Sequence, residues 1–105
     1  MLLRKINGGD FLEIKPTGEE LENRRILESI ELRQYNGVLI DLTNIGEVNS
    51  HQIDSLLKMR YSNIFFGLIN PCQNILETLM LLGKKDYFKI YQNKKEALKD
   101  YSGIN

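Results

Sequence analysis

The sequence predicts a single α/β domain over residues 1–105, with a mixed, mostly parallel sheet of about five strands and about four helices in the order ββαβαβαβα. The observations behind this are an Asn7-Gly8-Gly9 turn between two short alternating runs, two continuous apolar runs of strand length farther on, and amphipathic segments between and after them.

The first two strands are read from Leu2 to Ile6 and Phe11 to Ile14, joined as a hairpin across Asn7-Gly8-Gly9. From Gly18 to Tyr35, Leu21, Ile26, Leu27 and Ile30 recur at roughly helical spacing among charges, which predicts one amphipathic helix. Val38-Leu39-Ile40, ending in Asp41-Leu42, reads as a strand covered on both faces, and Ile64 to Ile69 repeats that pattern. Ile53, Leu56 and Leu57 mark a helix between them. Ile75, Leu76, Leu79, Met80 and Leu82 mark the next, closed by Gly83. A strand from Tyr87 to Tyr91 and a charged helix containing Ala97 and Leu98 complete the order.

Each helix start carries a capping residue followed three positions later by Glu or Gln: Thr17 with Glu20, Asn49 with Gln52, Asn70 with Gln73, Asn93 with Glu96. In such a box the cap side chain accepts a first-turn N–H while the later side chain reaches back, each cap contributing on the order of 1 kcal/mol. Pro71 falls at the first helical position, where its missing N–H costs nothing.

Composition excludes several function classes. Lysine plus arginine equals aspartate plus glutamate at 14 each, so no global field favours nucleic acid, and no nucleic-acid partner is expected. Cys72 is the only cysteine, which rules out an internal disulfide or cysteine metal cluster and fits a cytoplasmic setting. No segment reaches membrane-spanning length, so direct membrane insertion is not expected. His51 is the only histidine, there is no Gly-x-Ser-x-Gly elbow, no two histidines can share a metal, and no glycine-rich phosphate loop is present. These absences argue against an enzyme and against a metal or other cofactor.

Asp41-Leu42-Thr43-Asn44-Ile45 leads through Gly46-Glu47-Val48 into Asn49-Ser50-His51-Gln52-Ile53, and farther on come Gly67-Leu68-Ile69-Asn70-Pro71, Leu79, Leu81, Gly83, Phe88-Lys89-Ile90-Tyr91 and Glu96-Ala97-Leu98. This succession resembles the STAS domains of bacterial anti-sigma-factor antagonists. In those, an Asp-Leu strand end precedes an Asp-Ser-Ser-Gly-like turn opening a helix, followed by an Asn-Pro strand end, a Phe-x-Ile strand and a Glu-Ala-Leu helix. The resemblance implies a non-catalytic module that docks on an anti-sigma factor or kinase-like switch protein and is switched off by phosphorylation at that helix start. The aligned acceptor here is His51, the aligned glycine Gln52 and the aligned aspartate Asn49.

Asn49, Ser50, His51 and Gln52 are therefore the expected docking turn, without the usual serine switch. Ser50 is expected to face inward with Ile53 and Leu57, and His51 outward with Ser55 and Lys58. Val48 and Ile53 are expected to staple the turn. The helix after His51 is expected to be short, since Arg60-Tyr61-Ser62 leads directly into the next strand. Leu76 and Met80 make the third helix apolar nearly all round, which points either to a helix tightly covered within its own fold or to a surface for self-association as a homodimer or for another partner. The alternative reading is a STAS-type scaffold or accessory subunit of a larger complex, such as a lipid-transport ABC system.

Overall fold

Asn7, Gly8 and Gly9 all adopt positive φ (53°, 70° and 92°), a backbone that asparagine and glycine tolerate best, and so turn the chain back on itself. In the computed structural model, which describes residues 1–23, 25, 28–59 and 64–104, this turn joins β1 (Leu2–Ile6) to β2 (Phe11–Lys15) in antiparallel register, Ile6 opposite Phe11 and Leu2 opposite Lys15. β3 (Gly37–Asp41), β4 (Phe65–Ile69) and β5 (Lys89–Tyr91) then add in parallel. The strands lie in the order β1-β2-β3-β4-β5. α1 (Gly18–Glu22), α2 (Ser50–Met59), α3 (Gln73–Leu81) and α4 (Lys94–Ile104) complete the expected ββαβαβαβα order and mixed sheet.

Strand order that follows chain order puts three successive crossovers of one hand on one face of the sheet. Leu21 of α1, Ile53, Leu56 and Met59 of α2, and Ile75 and Leu79 of α3 accordingly share one core cluster with Leu12, Ile14, Val38, Ile40 and Leu68 of the sheet. The alternate residues Phe11, Leu39 and Ile69 face the other way and pack with Ala97 of α4. There Phe11 lies over Gly37, its ring 4.6 Å from that of Tyr101 and 5.6 Å from that of Phe65. Glu13, nearly buried on this face, is flanked by Arg4 Nε at 3.5 Å and Lys94 Nζ at 3.7 Å.

Several element boundaries differ from expectation. The helix predicted from Gly18 to Tyr35 is interrupted: α1 stops after Glu22, because Asn23 leaves helical geometry at ψ 96°, Arg25 and Glu28 are helical again, and Leu32–Gln34 is a separate 3-10 turn. Of the residues that carried its periodicity, Ile26 and Leu27 lie outside those described. Arg60-Tyr61-Ser62, on which the predicted shortening of the helix after His51 rests, also lie outside them. α3 starts later than its predicted Asn70 cap: Asn70 takes a φ of 50°, its N–H is committed to Tyr91 O at 2.7 Å, and Cys72 becomes the N-cap. Pro71 therefore sits one residue before the cap. Lys85–Tyr87 form a 3-10 turn, so β5 begins at Lys89 rather than Tyr87.

Candidate functional site

The chain leaves β3 at the carboxyl end of the sheet, and short hydrogen bonds fix its path to α2. Leu42 is fully buried and donates its N–H to Ile69 O at 2.9 Å, while Ile45 N–H closes onto Leu42 O at 3.0 Å. Asp41 Oδ1 accepts from Thr43 N–H at 3.0 Å and from the Thr43 hydroxyl at 2.5 Å, an Asx turn of the kind expected at a strand end. Asn70 Nδ2 donates to Thr43 Oγ1 at 3.4 Å, and Lys15 Nζ stands 3.9 Å from Asp41 Oδ2. Val48 N–H donates to Asn74 Oδ1 at 3.0 Å, so the first turn of α3 holds the loop that precedes α2.

At Asn49 the predicted capping box is complete: Gln52 N–H donates to Asn49 Oδ1 and Asn49 N–H to Gln52 Oε1, both at 2.9 Å. Gln52 does more than close the box. Its Nε2 donates to Gly18 O at 2.9 Å, spanning to the start of α1, and the side chain is 7% exposed. The start of α1 has its own complete box, with Glu20 N–H donating to Thr17 Oγ1 at 3.2 Å and Thr17 N–H to Glu20 Oε1 at 3.0 Å. Two helix starts are thus joined by one amide. Val48 and Ile53 sit in the same apolar cluster, as a staple requires.

The sequence-derived quartet is split by this arrangement. Asn49, Ser50 and His51 are exposed, whereas Gln52 is turned inside. Ser50, expected to face inward, is exposed, because the Gln52 amide takes the inward place at the first turn. The buried stripe of α2 then runs through Gln52, Ile53, Ser55, Leu56 and Met59. Ser55, expected on the outer face with His51, is 2% exposed and its Oγ has no hydrogen-bond partner. Lys58, by contrast, is exposed and paired with Asp54 at 3.0 Å.

At α3, Met80 is exposed while Leu76 is half-buried beside Asn70, Pro71, Ile90 and Tyr91. Sequence reasoning did not foresee the polar network of Lys15, Asp41, Thr43 and Asn70. The Asp-x-Thr spacing signals its centre, but Lys15 and Asn70 join only through strand register. Among the described residues no three of His, Cys, Asp or Glu gather as a metal site, and no helix is long and apolar enough to cross a membrane.

A five-stranded sheet in sequential order, with an antiparallel first strand and an exposed helix start after the central strand, defines a STAS-like fold. Solved structures agree. The NMR structure of Thermotoga maritima TM1081 superimposes with a TM-score of 0.74 at 20% identity, over 92% of this chain and 84% of that one. Its crystal structure, described as that of a candidate anti-sigma factor antagonist, gives 0.70 at 18% identity over 94% and 92%. A chain of the stressosome, a signal integration and transduction hub, gives 0.76 at 16% identity over 98% and 97%. No protein-family model and no curated protein matches the chain.

Proposed function

We propose that this chain is a single STAS-like domain that works in the cytoplasm as a non-catalytic, protein-binding regulatory module. Its docking turn is Asn49, Ser50 and His51, and its partner is a kinase-like anti-sigma factor or related switch protein. The observation that carries the reading is the exposure of that turn on a scaffold fixed from behind by Gln52, Val48 and Asn74. A rigid first turn with its side chains outward is what a docking surface needs, since little order remains to be imposed on binding. Likeness to a candidate anti-sigma factor antagonist and to a stressosome chain supports the same class.

The acceptor-equivalent position is His51, so the usual serine switch is absent there. Ser50 is exposed one position earlier, and the proposal holds that docking proceeds without phosphate on it. A second reading, a STAS-type subunit of a larger assembly such as a transporter complex, is favoured by the same substitution. Affinity purification from the native host, followed by titration of the purified partner, tests both. His51→Glu, which places negative charge where the phosphate would stand, should weaken binding roughly ten-fold, or about 1.4 kcal/mol. Phosphate on Ser50 after incubation with the partner and ATP, or binding indifferent to His51→Glu, would overturn the docking reading. Recovery of transporter subunits alone would move the assignment to the second.

A further inference from the structure

The most exposed large apolar side chains among the described residues gather at the C-terminal tip of α3. Met80, Leu81 and Leu82 are 58%, 87% and 52% exposed, and Tyr87, just beyond the turn, is 41% exposed. This tip is held in a fixed shape. Gly83 N–H donates to Met80 O at 3.0 Å and Lys84 N–H to Leu79 O at 2.8 Å, with Gly83 at a φ of 68°, which is the paired bonding of a Schellman helix end. Tyr87 N–H returns to Lys84 O at 3.0 Å. Lys84 lies back on Tyr87, its ammonium 2.9 Å from the phenol oxygen and 4.5 Å from the ring centre.

We propose that this tip is the contact surface of a homodimer, seated on the same tip of a second copy. Area is the first argument. At roughly 200 Å² per large side chain, the exposed fractions amount to about 480 Å² on one copy, a size at which apolar patches are commonly functional. A two-fold contact doubles this to about 950 Å², just under the ~1,200 Å² of standard specific interfaces and in the range of weak, transient ones.

Charge is the second argument. The surrounding residues Glu77, Lys84, Lys85, Asp86 and Lys89 carry both signs, so the surface can meet its own copy with lysines against carboxylates. An anionic membrane would instead favour a lysine cluster free of carboxylates. Shape is the third. Beside Tyr87 lies a recess of about 120 Å³ lined by the aromatic residues Phe65, Phe66, Tyr87 and Phe88 and by the charged residues Asp86 and Lys89, on the scale of the ~150 Å³ cavity left by a deleted leucine. An isologous contact needs a projection and a recess on one surface. Because α3 runs back against the parallel strands, its tip lies at the opposite end of the sheet from α2's first turn. A dimer formed there leaves both copies' Asn49–His51 turns free, and the inference does not depend on what docks on them.

Sedimentation equilibrium of the full chain from about 5 to 500 µM tests the proposal. A monomer–dimer equilibrium in the tens of micromolar is expected, weak because the area is small. Leu81→Asp should raise its Kd at least ten-fold while leaving the thermal midpoint within about 2 °C, since a side chain so exposed contributes little to the fold. Leu2→Asp, at the other exposed apolar region, should leave the dimer intact. A chain that stays monomeric throughout, a dimer insensitive to Leu81→Asp, or a monomer that floats with anionic vesicles through this tip would each overturn the proposal.

Discussion

Replacing Gln52 by glutamate isolates one atom of the candidate site. The variant keeps the oxygen that accepts Asn49 N–H but turns the donor facing Gly18 O into a second oxygen. At neutral pH it loses one hydrogen bond, about 1 kcal/mol, and presses a carboxylate against a carbonyl in a nearly buried position, about 1–2 kcal/mol more. The expected loss is therefore ~2–3 kcal/mol, or roughly 10–15 °C in thermal midpoint for a chain of this size. The neutral acid, however, can donate to Gly18 O, so the new carboxyl should have its folded-state pKa raised above the ordinary value near ~4.3. A raised value means the variant's stability is intact below that ordinary pKa and is lost as pH rises through the folded one.

Urea unfolding followed by circular dichroism from about pH 4 to 7.5 should therefore show the gap between the Gln52→Glu variant and the parent narrowing as pH falls. Gln52→Ala, which lacks both bonds, should keep a nearly constant gap. A Gln52→Glu deficit that does not shrink at low pH, or no deficit at pH 7, would refute the Gln52–Gly18 link and the scaffold reading of the docking turn.

Gly37→Ala should cost ~2–3 kcal/mol by urea titration, because a Cβ there would meet the buried Phe11 ring at 2.5, 2.6 and 2.9 Å; a change under about 0.5 kcal/mol would mean that the ring yields freely. The Glu20 carboxyl is held below 4.5, first by the Met1 amino group and then by Thr17 N–H, with burial opposing. Its stabilising contribution is present above the ordinary value and disappears as pH falls through the lower folded one, so Glu20→Gln should flatten stability against pH between about pH 5 and 3. An unchanged slope would remove Glu20 from acid unfolding.

What was legible in the sequence was local. The boxes at Thr17 and Asn49 formed as spaced because both partners lie within one turn. Asn70 matched the same pattern, yet its N–H is claimed by Tyr91, far along the chain, and no local rule carries that information. Apolar spacing alone read through the break at Asn23. At the start of α2, the positions of Ser50 and Gln52 depended on Gly18, 34 residues before Gln52, and so were invisible to helical periodicity. The apolar surface of α3 was legible but centred a turn early: Leu76 is half-buried, and with Met80 it is Leu81 and Leu82 that stand exposed, since three consecutive large apolar residues on a helix cannot all face one core.

The sequential strand order also has a temporal consequence. Phe11, Leu39 and Ile69 sit on a sheet face whose helix, α4, follows every strand in the chain. During synthesis all five strands emerge before the element that shields them, and an apolar sheet face left open invites aggregation. A released chain truncated ahead of Lys94 would present that face to chaperones, whereas one extending through Tyr101 would bring the ring that packs on Phe11.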